Sequence, residues 1–298
     1  MADRLETLAR ELEASPDFRV LRRLVPRETF DRSDADPPLI GIVLDCETTG
    51  LDPTLDEIIE LAMLRFSFTP DGSILRILAS FDELEQPRLP IPPEITTLTG
   101  ITNDMVEGRT IDANDVEAFV ADAAIVVAHN ARFDRAFAEN AFVMFRDMEW
   151  ACSVDQIPWR EHGYEGTKLP YLLAHHGFFT NAHRAGDDCR ALLHVLASPF
   201  IPQGKSAFSI LLRNAKEETI RIHAVGAPYV AKDTLKKRRY RWSDGSDGSW
   251  RAWWRDVSPE EYDREMEFLR ANVFDGRVIC LPTSKITARE RYSLRAAQ

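Results

Sequence analysis

A chain of 298 residues with 44% hydrophobic content is long enough for one large domain or two, and apolar enough for a packed core. It has no run of about 18 apolar residues, and its charged start MADRLETLARELEASPD lacks an apolar signal core. Neither a membrane span nor a secretory signal is expected, and a cytoplasmic location is. The formal charge of -11 is uneven: Lys205–Gln298 holds 19 Lys and Arg against 13 Asp and Glu (+6), and the part up to Gly204 holds 18 against 35 (-17). That asymmetry suggests a basic binding module beside an acidic catalytic one.

Residues 1–38 form an extension to which no chemistry is assigned. Leu5, Leu8 and Leu12 are at helical spacing, Ser15-Pro16 breaks the pattern, and a second apolar stretch runs from Phe18 to Val25. Leu39–Leu51, LIGIVLDCETTGL, then reads as a strand buried on both faces, with two acids at its end. Side chains two apart on a strand share a face, so Asp45 and Glu47 project together and Cys46 turns into the core. Paired carboxylates repel unless a proton or a cation lies between them, and Mg2+ or Mn2+ with oxygen ligands is the usual solution. The alternative is an acidic turn after a core strand, ended by Thr48, Thr49 and Gly50.

Glu57–Phe68 reads as a second strand, and Asp71-Gly72 as a hairpin turn into a third, Ile74–Phe81, which makes an antiparallel meander. A proline-rich loop, Pro87–Pro93, leads into Glu94–Met105. A helix at about Ala113–Asp122 and a strand at Ile125–Ala128 follow, the strand ending in His129-Asn130. From Ala131 to Phe142 the pattern is helical, with Asp134 on the inward face beside Phe137, Ala138 and Ala141, and with Arg132, Arg135 and Glu139 on another. In the helix around Cys189, steps of three and four from Asp188 reach Ala191, Leu192 and Val195, so Asp188 faces inward and Asp187 faces solvent. His183, five residues earlier, can meet Asp188 only from the loop ahead of the helix. Ala185 and Gly186 allow that helix end to approach the sheet closely. Strands alternating with helices argue for a mixed α/β sheet. The four cysteines show no paired spacing and read as reduced thiols, mostly buried.

These residues resemble the motifs of the DEDD superfamily of 3'-to-5' exonucleases, in the histidine subclass that includes the proofreading epsilon subunit of bacterial DNA polymerase III. The D-x-E-T motif is Asp45-Cys46-Glu47-Thr48, H-N-x-x-F-D is His129 to Asp134, and H-x-A-x-x-D is His183 to Asp188. The sister subclass has tyrosine where this chain has Arg184. The resemblance implies a ribonuclease H-like fold, a mixed sheet flanked by helices, over residues 39–198. It also implies two ions, Mg2+ or Mn2+. Asp45 would bridge them, Glu47 and Asp188 would ligate the water-activating one, Asp134 would support the other, and His183 would be the general base. Backbone groups at Thr48 and Thr49, with Leu98 and Ile101, would hold the terminal nucleotide, His129 would contribute structure or phosphate contact, and Asn130 would join the substrate-binding set.

Pro199–Gly204 reads as a linker, and residues 205–298 as a small basic α+β module. Its expected elements are strands at Phe208–Leu212, Thr219–Val225, Trp250–Trp254 and Arg277–Pro282, and helices at about Ala231–Arg239 and Glu261–Ala271, the latter capped by Ser258. Its tryptophans Trp242, Trp250, Trp253 and Trp254 read as the core of a small sheet. Equally, Tyr240 and Trp242 offer stacking surface beside phosphate contacts from Lys232, Lys236, Lys237, Arg238, Arg239 and Arg241, as single-strand binders use. QGKSAF, Gln203–Phe208, faintly resembles a clamp-binding peptide of proofreading exonucleases, but Ser206 stands where an apolar anchor belongs. The expected activity is removal of nucleotides from a single-stranded DNA 3' end, with or without a polymerase or clamp partner. RNA trimming and an inactive nucleic-acid-binding scaffold are the alternatives.

Overall fold

A computed structural model describes residues 2–31, 37–180, 183–200, 204–246, 248–278 and 280–297. The chain opens with α1 (Ala2–Glu13), whose Leu5, Leu8 and Leu12 stay exposed. Arg22, in the short β1 (Arg22–Arg23), ties the helix down through ion pairs of 3.0 Å to Glu6 and 2.5 Å to Glu13. The key strand is β2 (Leu39–Thr48), with Ile42, Val43 and Leu44 fully buried, as a strand covered on both faces requires. It pairs antiparallel with β3 (Ile58–Phe68), and β3 with β4 (Ile74–Leu84), which is the expected meander with a longer last strand. Next come α2 (Pro93–Thr99), α3 (Asn103–Val106), α4 (Ala113–Val120), β5 (Ile125–Ala128), α5 (Ala131–Ala141) and β6 (Trp150–Cys152). The side chains of Thr102 and Asp112 accept backbone N–H groups at the starts of α3 and α4. Then follow α6 (Leu169–His175), β7 (Phe178–Phe179), which pairs parallel with β1, α7 (Ala185–Ala197) and α8 (Ala207–Lys216). The main strands run in the order β4-β3-β2-β5-β6, a mixed five-stranded α/β sheet as expected. Cys46, Cys152 and Cys189 are buried and Cys280 is exposed.

Two expectations fail around α8. Phe208–Leu212 is helix rather than strand: Phe208, Leu211, Leu212 and Ala215 are buried at helical spacing, and a short apolar run does not by itself separate the two states. The residues read as a clamp-binding peptide are also committed elsewhere. Ser206 accepts the Ser209 N–H at 3.1 Å and donates to the Gly72 carbonyl, and Phe208 is fully buried, edge-on to Phe66 and Phe68. Gln203 and residues 201–202 of the expected linker lie outside the described residues.

The C-terminal part contains β8 (Thr219–Ala224), α9 (Lys232–Lys237), β9 (Arg241–Ser243), β10 (Ala252–Val257), α10 (Pro259–Asn272) and β11 (Thr283–Ile286). The strands form an antiparallel sheet in the order β11-β8-β10-β9. Ser258 caps α10 as expected, its side chain accepting the Glu261 N–H. The closing strand is Thr283–Ile286 rather than Arg277–Pro282: α10 ends in a turn where Asp275 and Gly276 take positive φ and the Arg277 N–H returns to the Phe274 carbonyl, and position 279 lies outside the described residues. The core here gathers Ile222, Leu235, Tyr240, Trp253 and Leu269.

The chain divides into two compact units, Met1–Asp122 with Ile157–Ile210 and Ala123–Gln156 with Leu211–Gln298. This packing division does not follow the sequence boundary near 199, since β5, α5 and β6 group with the C-terminal residues. The face of α5 that carries Arg135 and Glu139 shows why. Arg135 is fully buried, bonded to Glu139 at 2.6 Å and donating to the carbonyls of Arg289 and Arg291. Glu139 in turn accepts from Ser293 and Arg295. Among the described residues, no helix is long and apolar enough to cross a membrane.

Candidate active site

Strand alternation puts Asp45 and Glu47 on one face of β2, with Cys46 buried between them. The N-terminal half of α7 brings a third carboxylate to them: oxygens of Asp45, Glu47 and Asp188 all lie within 4.8 Å of one another. All three side chains are half-buried. Asp187, one residue earlier, is exposed, as the helical register requires. The mutual cost shows in the titration of the group. Burial, then the nearby Asp188 and Glu60 carboxylates, push the Glu47 carboxyl up to about 7 against the opposing Arg184 guanidinium. Burial raises Asp188 too, while the His183 N–H works the other way.

What holds α7 over the sheet is a pair that the sequence reading did not single out. Glu60 sits directly across from Glu47 in the β2–β3 ladder and is fully buried. Arg184, at the start of α7, covers it with guanidinium contacts of 2.5 and 3.0 Å, and the Ala185 N–H adds a bond of 2.9 Å. The free N–H groups of the helix start thus meet a carboxylate, which favours both. Gly186 completes the approach: a Cβ there would overlap the Asp82 carboxylate of β4. On the buried side, the Cys189 thiol lies 3.5 Å from the Ala62 carbonyl.

His183 stands in the loop ahead of α7, where the five-residue offset from Asp188 required it. Its backbone is left-handed, φ 68°, an uncommon state for a residue with a Cβ. The conformation aims its N–H at Asp188 Oδ2, 3.0 Å away, and leaves the imidazole exposed.

The exonuclease family (RNase T) matches residues 42–196, just over half of the chain. The chain belongs to the exonuclease family. It is of the DEDD type that its motifs imply. The PolC-type DNA polymerase III of Clostridium perfringens is 34% identical over 166 residues, 53% of this chain and 11% of that protein. The same polymerase of Bacillus subtilis is 34% identical over 140 residues, 45% of this chain and 8% of that protein. The chain therefore spans about a tenth of the length of these relatives. A solved structure of E. coli Exonuclease I in complex with a dA16 oligonucleotide shares the fold, with a TM-score of 0.50 at 14% identity over 78% of this chain and 71% of that one.

The other residues expected to serve the exonuclease fall into two groups. Asp134 is buried in the first turn of α5, as its inward register required. His129 has Nδ1 2.7 Å from the Ser153 hydroxyl, and Asn130 takes φ 87° just ahead of α5. Leu98 is 52% exposed and offers apolar surface. Ile101 does not: it is fully buried with Ile59, Ile91 and Val106, because the β2–β3 side of the fold needs it as core. The Thr49 N–H is taken by the Glu57 carbonyl, and the Thr48 hydroxyl by the Gly50 carbonyl, so both close their own loop. In the C-terminal sheet, Tyr240 is buried and donates to Glu265, which also binds Arg238 at 2.8 Å. These two are structural, whereas Lys236, Lys237, Arg239 and Arg241 stay exposed.

The donor set suits a hard divalent cation. Three carboxylates converge at 4.8 Å or less in an all-oxygen set, and burial followed by the neighbouring negative charges raises the Glu47 carboxyl, a cost that a bound cation would relieve.

Proposed function

We propose that this exonuclease hydrolyses phosphodiester bonds stepwise from the 3' end of single-stranded DNA, with two divalent ions, Mg2+ or Mn2+, held by its acidic residues. The observation that carries the reading is the convergence of Asp45, Glu47 and Asp188 within 4.8 Å in a chain of this family. Those three carboxylates would hold the ions, and the resemblance to the DEDD motifs assigns Asp134 to the same task. Bound divalent ions generate a nucleophile from water near neutral pH and neutralise charge on the leaving oxygen.

The protein's own groups do the rest. Asp188 keeps its carboxylate oriented by the His183 N–H, and the same turn leaves the His183 imidazole at the surface, where it accepts the proton of the attacking water. Exposed Leu98 supplies apolar surface for the terminal base. The relatives' names, DNA polymerase III PolC-type, support DNA as the substrate.

The test uses matched DNA and RNA strands, each labelled at the 5' end, with Mg2+ or with excess chelator after prior metal removal. A ladder shortening from the 3' end on DNA, only with the ion, is expected. A ladder on RNA alone would make it a ribonuclease, and full activity in chelator would refute the divalent-ion reading.

A further inference from the structure

The turn that leads into α9 sets an aromatic ring in solvent beside a run of cations. Tyr229 and Val230, in the 3-10 turn Tyr229–Ala231, are 81% and 87% exposed, whereas Ala231 and Leu235 are buried and hold the element to the core. The Lys232 ammonium lies 5.5 Å from the centre of the Tyr229 ring. Lys232–Arg241 holds six Lys and Arg against one acid, Asp233. Of the six, Arg238 is committed to Glu265 and Arg241 to Asp155. Among the described residues, Lys232, Lys236, Lys237 and Arg239 form no ion pair, and the last three are exposed. Residues two apart on a helix lie about 200° around it, so Lys236 leaves α9 on the side away from Arg238 and from the α10 carboxylate that Arg238 meets.

The end of α9 adds an independent sign. The Arg239 N–H returns to the Lys236 carbonyl at 2.9 Å and the Tyr240 N–H to the Leu235 carbonyl at 3.0 Å, with Leu235 and Tyr240 both in the core. This is the helix ending in which the residue at the place of Arg239 turns left-handed, and glycine is its usual occupant. Arg239 takes φ 66° there with a full side chain. The Cβ makes that conformation costly, and no ion pair of the guanidinium offsets the cost. A residue kept in a strained conformation with its charge in solvent points to a ligand for that charge.

We propose that this surface is a platform for a single-stranded nucleic acid, with a base stacked on Tyr229 and phosphates held by Lys232, Lys236 and Arg239. The cations alone would suit any polyanion, and the exposed ring beside them is what a base uses. The platform rests on the reading of the chain as a nuclease of single strands, and adds a hold on the strand from residues outside the carboxylate cluster. It also replaces a stacking group expected from the sequence, because Tyr240 is buried and bonded to Glu265.

The test reads binding, not cleavage. Anisotropy of a labelled oligo-dT strand is measured at several salt concentrations in the Asp45→Ala background, alone and combined with Tyr229→Ala, Tyr229→Phe, Lys232→Gln/Lys236→Gln or Arg239→Gly. Loss of one base–aromatic stack is expected to weaken binding about tenfold in Tyr229→Ala, with most of the affinity kept in Tyr229→Phe. The double lysine variant is expected to weaken binding and to reduce the slope of log affinity against log salt by about 1.4, two phosphate contacts at about 0.7 each. Arg239→Gly should melt higher, since glycine turns left-handed without strain, and yet bind more weakly. Tyr229 is exposed, so its truncation opens no core, and thermal melts of all variants control for the fold. Unchanged affinity and salt slope in Tyr229→Ala and in the double lysine variant overturn the platform. Displacement of the strand by phosphatidylglycerol vesicles also overturns it, by giving the surface to a membrane. A protein that cleaves DNA without these effects loses only the platform, and one that shows them without cleaving loses only the proposed activity.

Discussion

Arg184 and Glu60, 124 residues apart in the chain, are joined by a guanidinium–carboxylate contact of 2.5 Å that fixes the start of α7 to β3. The carboxylate is fully buried and the guanidinium partly open to solvent. Glu60 also lies opposite Glu47, so the pair neutralises one acid while it positions a helix that carries another, Asp188. Arg184→Met should cost about 2 kcal/mol, the scale of a lost charge-assisted bond to a buried group. Activity should fall with it, as Asp188 loses its register. The double variant Glu60→Leu/Arg184→Met should regain part of the stability, since no buried charge is then left unpaired. Thermal melts of the three proteins decide, and an unaltered melt for Arg184→Met would remove the pair from any positioning role.

The carboxylates should separate activity from stability. Asp45→Asn, Glu47→Gln and Asp188→Asn are each expected to abolish nuclease activity while leaving the metal-free melting temperature equal or slightly higher, because each relieves repulsion. Mg2+ should raise the melting temperature of the wild type, by up to about 2.7 kcal/mol of stability at a hundred times its dissociation constant, and should do little for the variants. An equal Mg2+ shift in all four proteins would put the ion elsewhere.

Asp187→Ala should keep most of the activity that Asp188→Ala loses, since only Asp188 faces the sheet. Matched kinetics on one substrate measure the difference. Equal losses would contradict the observed exposure of Asp187.

His183 joins a proposed proton-accepting role to an unusual backbone. His183→Ala should lose roughly two to four orders of magnitude in turnover and still bind metal and DNA. His183→Gly should be equally slow but about 1 kcal/mol more stable than His183→Ala, because glycine takes φ 68° without a Cβ clash. Equal stability of the two would show that the left-handed turn relaxes when the imidazole is removed.

His194 supplies an acid limit. Burial, helped by His176 and Arg27, pushes its pKa down to about 4, whereas in an unfolded chain it titrates near 6.5. The unfolded state therefore takes up the proton first. The stability that His194 contributes is fully present above about pH 6.5 and is lost as pH falls toward 4. Its ring packs edge-on to Phe178 at 4.8 Å, a contact that His194→Phe retains in kind. The drop in melting temperature from pH 7 to pH 5 should be smaller in that variant than in the wild type, and equal drops would assign the acid sensitivity to other groups.

Local periodicity determined much of this protein from the sequence alone. The period of two on β2 put Asp45 and Glu47 on one face, and the period of 3.6 on α7 chose Asp188 over Asp187 and sent His183 to the loop. Those relations depend on a few neighbouring residues and on backbone geometry common to all chains, so they survive without knowledge of the fold. The tertiary structure decided the rest. Arg184 meets Glu60, and Arg135 meets the carbonyls near the C-terminus, across more than a hundred residues, and no local pattern encodes such partners. The run Phe208–Leu212 is too short for periodicity to separate strand from helix, and burial against Phe66 and Phe68 selected the helix. Ile101 and Trp242, both apolar and both plausible as surface or core, took opposite fates. A side chain's exposure is set by what the rest of the chain lays against it: Ile101 fills the space among Ile59, Ile91 and Val106, while Trp242 stands on β9, the last strand of its sheet, and stays half exposed.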